Sequence, residues 1–318
     1  MSNNNQLTTQ RNDIAILGET EVFIRRNANG AIKAVKGKVN LLESKGHLSE
    51  IQNKVMITEA GYREMNKIAG ISVITPQNLT LPDGQVVVNP YPVIDPESGT
   101  ISKVWVKKIG IGHSPTGNLV ITSSTLLYDI KMYLIQDLAK KVQYNKDAGR
   151  LCMEQMLTEE DKKRGSFFKI EGSMGVWVDL SHKEILKAFD TYINNKLFAE
   201  RKAQTICERN VLKKHPALST TYVEPNGPSK QRFAQVTVVG FTSDLSRDEL
   251  MEVVEQAERG EEVKVRGQEA EIIDSVDEIT EEDIQASLDE EEMARTSVSV
   301  EEPHQSNQGE LFDGEVKF

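Results

Sequence analysis

Residues 101–108 read ISKVWVKK. In an extended strand side chains alternate between faces, which sets Val104 and Val106 on one side and Lys103, Trp105 and Lys107 on the other. With the valines toward a core, the opposite face presents an indole between two ammonium groups. That pairing suits single-stranded nucleic acid, because a base stacks on the ring and the cations meet phosphates. The competing reading is a Trp covered by a helix and merely flanked by lysines. Lys108 adds one more cation to the run. VWVDL at 176–180 repeats the alternation, but Trp177 there shares its face with Asp179, which disfavours phosphate.

A second cationic pattern lies in AERKAQTICERNVLKKHPAL, 199–218. On a helix Lys202, Arg209 and Lys213 recur at spacings of seven and four and form one stripe, widened by Arg201 and Lys214. Part of this pattern follows from the helix dipole, which favours cations near the C-terminus. Only Glu200 and Glu208 are interspersed. The expectation is a solvated basic face, with Arg209 and Lys213 exposed and able to contact phosphates.

Enzymatic signatures are missing: there is no GxxxxGK[ST], no GxGxxG, no HExxH and no CxxC. GIGHSPTG at 110–117 sits between two strand patterns and reads as a hairpin turn, and nothing in the sequence sets an acid or nucleophile beside His113. The DEEE run at 289–292 lies where nothing would hold metal geometry. The reading is therefore a protein that is not an enzyme, with no cofactor and no metal. Cys152 and Cys207 read as buried small apolar residues.

The elements that must position these residues give an α+β fold class: a small antiparallel sheet packed with helices, including one long basic helix, followed by a disordered acidic C-terminal tail. Thr58 and Gly70 bracket a short helix carrying Tyr62, Met65 and Ile68. Strand patterns follow at 71–74, 85–94, 101–111 and 117–127, joined by turn-rich pieces as a meander, with Pro90 and Pro92 marking the second as an edge. A helix from about 129 carries Ile130, Leu134, Leu138 and Val142 on one face. TEED at 158–161 resembles a capping box, and strands are predicted at 166–171 and 175–180. Ser181 and Glu184 form a second box opening a long helix that Pro216 ends, with the ridge Ile185, Leu186, Phe189, Ile193, Leu197, Ile206 and Leu212. A last strand spans 233–241, and 246–259 and 280–293 are helix-prone.

Charge divides the chain. Residues 1–240 hold 32 basic and 24 acidic residues, net +8, and 241–318 hold 6 and 25, net −19, together the chain's −11. A basic body suits a polyanion, while so acidic a tail with few aromatics cannot offset its ordering entropy. It can solubilise, compete for the basic surface or tether partners; in the competing role, deleting 241–318 should strengthen binding. The division is an N-terminal arm and oligomerisation segment at 1–54, a nucleic-acid-binding core at 55–240 and the tail at 241–318. With no apolar run near 18 residues and no signal-peptide pattern at the start, the expected location is cytoplasmic, away from membranes.

The strands over 71–127 with the helix from 129, the long helix whose basic end runs into HPAL, and the acidic C-terminal segment together resemble the RecT/Redβ family of phage and mobile-element single-strand annealing proteins. The likeness covers about residues 55–220. It implies a small sheet crossed by helices, side-by-side assembly into rings or filaments, and phosphate contacts from Arg201, Lys202, Arg209, Lys213 and Lys214. The implied activity is ATP-independent binding of single-stranded DNA and annealing of complementary strands in homologous recombination. The alternative is a passive single-strand binder that protects DNA and recruits partners through its tail; a third is a mobile-element protein whose basic body binds protein or duplex DNA. QGELF at 308–312 fits the Q-x-x-L-F pattern of sliding-clamp peptides, and the chain ends in Phe318 after acids, which makes Gln308, Leu311, Phe312 and Phe318 candidate docking residues. The candidate partners are a sliding clamp, a host single-strand binding protein and a partner exonuclease.

Overall fold

The structure, a computed structural model, describes residues 14–16, 22–27, 30–51, 54–220, 222–241, 246–258, 263–265 and 268–277. It is a mixed α+β fold with several small sheets and the helices α1 (Glu59–Ala69), α2 (Ile130–Tyr144), α3 (Glu159–Arg164), α4 (Lys183–Leu197), α5 (Ala199–Lys214) and α6 (Arg247–Glu258). Local signals form the helix ends. The Thr58 side chain accepts from the Gly61 N–H, and α1 stops at Gly70 in the left-handed region (φ 70°). Asp129 caps α2 by accepting from Lys131 and Met132 N–H, and Thr158 with Asp161 closes a capping box on α3. α4 is capped by His182, whose Nδ1 accepts from Glu184 N–H at 3.3 Å, and not by Ser181, whose hydroxyl instead donates to Asp179 at 2.6 Å.

The central sheet is built on two long antiparallel strands, Ile101–His113 and Leu119–Asp129, paired from Lys103/Asp129 to His113/Leu119. The turn between them is closed by Ser114 N–H donating to Asn118 O and Gly117 N–H to Ser114 O. The expected meander is corrected on the outer edge. Ser72–Ile74 and Tyr91–Ile94 both pair with the same strand, at 109–111 and 101–105. Between them the Asn89 amide takes the place of a strand, accepting from Lys107 N–H at 2.9 Å and donating to Lys107 O at 2.8 Å. The expected strand at 85–94 is accordingly two: Val86–Val88 pairs with Asn78–Thr80 in a separate hairpin.

α5 crosses one face of this sheet. Ala199, Ala203, Ile206 and Cys207 pack on Val104, Val106, Leu126 and Tyr128. Here the glycines of GIG have a packing reason. A Cβ at Gly110 would lie 2.6 Å from Val211, and one at Gly112 would lie 3.1 Å from His215 Nε2. The single long helix expected over 183–214 is two, broken at Phe198 (φ −113°, ψ 22°), and Lys202 Nζ reaches back across the break to Asn195 Oδ1 at 2.6 Å. The predicted ridge divides there too. Ile185, Ile206 and Leu212 are buried, whereas Leu186, Ile193 and Leu197 on α4 are exposed, because α4 turns Ile185 and Ala188 toward α2 and the three-stranded sheet Gly149–Met153, Gly165–Glu171 and Met174–Asp179, and these three residues lie off that side.

Both ends of the chain contribute more than expected. Gly30–Leu42, within the predicted arm, is a long strand paired with Phe233–Phe241. α1 crosses this pair so closely that a Cβ at Gly240 would collide with the Ile68 carbonyl oxygen. From the predicted tail, α6 sets Val253 and Val254, with Val263, on Ile109, Ile111, Leu119 and Ile121. Glu271–Asp277 then adds a parallel strand to Leu119–Asp129. Deleting 241–318 would therefore strip the core as well as acidic charge. The helix-prone stretch 280–293 and the residues Gln308, Leu311, Phe312 and Phe318 lie outside the described residues.

Candidate nucleic-acid interface

Directly paired residues in a sheet point to the same side, so register converts into a surface map. Trp105 pairs with Tyr91 on one neighbour and Leu127 on the other. These three form one rung on the face opposite α5. The rung on one side is Val93, Lys103 and Asp129; the rung on the other is Lys107, Thr125 and Val276. All of these are at least partly exposed, Val276 most of all at 72%. α6 covers the far end of the same face, over Ile109 and Ile121, and leaves the Trp105 end open. Lys103 and Lys107 are four residues apart, about 13 Å along the strand, and bracket the ring at the 3.3 Å rise per residue. Lys103 Nζ is held 2.8 Å from Asp129, a surface pair worth no more than about 1 kcal/mol, which a phosphate can displace.

The other predicted cations do not join this face. Lys108 shares the parity of Val104 and Val106, points toward α5, is buried, and lies 2.6 Å from Glu208. Burial alone would raise the Glu208 carboxyl, but hydrogen bonds from Arg63 and Lys108 outweigh it and hold the group below its ordinary range. Arg209 is only 3% exposed. Its charge lies beside Tyr133, whose hydroxyl burial pushes far above the usual range. Lys214 donates to Ser275 and Asp277 of the added parallel strand. Lys202 is engaged with Asn195, Lys213 is half-buried, and of the five Arg201 is the exposed one. The expected solvated stripe is thus corrected: α5 is wedged between the sheet and α1, which covers positions a lone helix would leave in water.

Trp177 is also structural. It is buried, its Nε1–H donates to Asp161 O at 3.1 Å, and Arg150 stacks over its ring at 5.0 Å. Cys207 is buried as expected, with burial pushing its thiol up to about 12, whereas Cys152 is partly exposed. Tyr91 was missed by sequence reasoning. Its only signal was a position between two prolines on a predicted edge, and its rung depends on a register that the sequence does not specify.

His215 supplies a pH-dependent element. It is fully buried, its Nδ1 accepts from Ala217 N–H at 3.2 Å, and burial lowers its pKa to about 4 from 6.5. His113, which lies near it, is lowered by burial as well. A histidine held neutral in the fold costs nothing above pH 6.5, where the unfolded chain is neutral too, and destabilises the protein progressively as pH falls toward 4, because only the unfolded chain then binds the proton. The loss expected for His215 is about 3 kcal/mol at 1.36 kcal/mol per pKa unit. The Asp161 and Glu184 carboxyls, each lowered to about 2 by hydrogen bonds from basic partners, titrate below this window. Urea midpoints measured from pH 7.5 to 4.5 should fall steadily, and a His215→Gln variant should show a shallower fall; a flat profile in the wild type contradicts the assignment.

No helix among the described residues is long and apolar enough to cross a membrane. In comparisons with known proteins, no family model, curated protein or solved structure matches the chain. The fold is shown as a mixed α+β architecture with an open, cation-flanked aromatic sheet face, and the functional reading rests on that face.

Proposed function

We propose that the chain binds single-stranded nucleic acid on the Tyr91–Trp105–Leu127 face and anneals complementary strands without nucleotide hydrolysis. The observation that carries this reading is an indole on an open sheet face between two lysines, with a second ring in register beside it. Stacking on such rings tolerates any base, and phosphate contacts tolerate any sequence, which is what sampling for a complement requires. Pairing at roughly 1.4 kcal/mol per base-pair step then drives the exchange. The resemblance to RecT/Redβ annealing proteins points the same way and adds side-by-side self-assembly to the proposal. Of the expected contacts, Lys103, Trp105 and Lys107 remain on the binding face, Tyr91 joins them, and Arg201 is an outlying candidate.

The test is the rate at which the purified protein, without ATP or added metal, anneals two complementary labelled oligonucleotides. Acceleration well above the spontaneous rate is expected. Tight binding that suppresses annealing would replace this reading with the passive strand binder, and absence of binding to a single strand would overturn it.

A further inference from the structure

The sheet formed by Gly30–Leu42 and Phe233–Phe241 has one face turned into the core, through Val39, Leu41, Ala234, Val236 and Val238. The register puts Lys36, Lys38 and Asn40 on the other face, opposite Val239, Thr237 and Gln235. Lys36, Lys38, Asn40, Gln235 and Thr237 are all exposed, and none of the six positions is acidic. Seven lysines elsewhere (Lys67, Lys103, Lys108, Lys141, Lys162, Lys187 and Lys214) are ion-paired, but neither Lys36 nor Lys38 has such a pair among the described residues. At one end of the stripe the Phe233 ring is 45% exposed. Beside it Gln235 Nε2 donates to Asn40 Oδ1 at 3.1 Å, and both residues are exposed.

In a chain of net charge −11, an acid-free row of two cations, two amides, a hydroxyl and a ring on one strand pair has the chemistry of a nucleic-acid backbone site. The two ammonium groups are two residues apart on one strand, about 7 Å, in line for successive phosphates. We propose that this face is a second single-strand site, which holds the incoming complementary strand during annealing. The inference rests on the functional reading above. It gives that reading a division of labour: Trp105 and Tyr91 grip the first strand by stacking, while the Lys36/Lys38 face holds its complement by phosphate contacts. Contacts of this kind are weak and salt-sensitive, and they suit a strand that must be released once paired.

The test uses the full chain carrying Lys36→Glu and Lys38→Glu, with affinity for one labelled strand and the annealing rate measured in parallel. Both side chains are solvated, so the circular dichroism spectrum and melting temperature should match wild type. The expected result is first-strand affinity within about twofold of wild type and an annealing rate reduced about tenfold or more, because two phosphate contacts are replaced by like-charge repulsion, with recovery by Lys36→Arg and Lys38→Arg, which keep the charge. An unimpaired annealing rate would overturn the inference while leaving the proposed function standing. A loss of first-strand affinity as large as that caused by Trp105→Ala would also overturn it, by making the two faces one site. A wild-type protein that binds no single strand would remove both.

Discussion

Arg209→Glu is expected to destabilise the fold strongly, not to weaken nucleic-acid binding selectively. The side chain is 3% exposed, on the part of α5 packed beside Tyr133 of α2. Reversing its charge puts a carboxylate into a buried position beside the Tyr133 hydroxyl, and an uncompensated buried charge costs about 3–5 kcal/mol. That is a large share of the roughly 5–15 kcal/mol by which domains are stable. The melting temperature should fall by about 10 °C or more, given some 2–4 °C per kcal/mol in a chain of this order of size. Arg201→Glu, at an exposed position in the first turn of the same helix, should leave it unchanged. Equal melting temperatures for Arg209→Glu and wild type would contradict the burial of this helix face.

Trp105→Ala is expected to give the largest loss of single-strand affinity among variants that still fold. Its ring is half-buried on the open face, and the core beneath it is made by Val104 and Val106 from the opposite side of the strand. Losing one base–aromatic stack costs about 1–3 kcal/mol, roughly a 5- to 150-fold weaker dissociation constant. Tyr91→Ala should weaken binding in the same assay, and Lys107→Gln should lower the log-log salt slope by about 0.7. Affinity for a labelled single strand across a salt series reads all three. If Trp105→Ala binds as tightly as wild type with the same slope, the binding surface is elsewhere.

The features legible in the sequence are those set within a few residues. Thr58 and Gly70 bound α1, Thr158 and Asp161 cap α3, and the alternation in 233–241 marks a strand with the observed limits, because caps and pleats depend on immediate neighbours. Parity along 101–113 already placed Trp105 with Lys103 and Lys107. The same parity put Lys108 with the valines, so its burial was readable in the sequence even though it was counted among the binding cations.

What only the tertiary structure decided are outcomes that need distant parts of the chain. Arg209 reads as one step of a solvated stripe because helical periodicity shows which residues share a face, not how many faces are covered, and α5 is covered by both the sheet and α1. Gly30–Leu42 became the centre of a sheet because its partner lies about 200 residues away, at 233–241. The helix at 247–258 is legible in the sequence, but acidic composition concealed its docking and the strand Glu271–Asp277: a few well-placed apolar residues, Val253, Val254 and Val263, suffice to seat this segment on the sheet, and average composition does not register position. The alternation of 101–108 was thus local knowledge. The open face, with Tyr91 beside Trp105 and α6 stopping short of both, is a consequence of strand register and long-range packing.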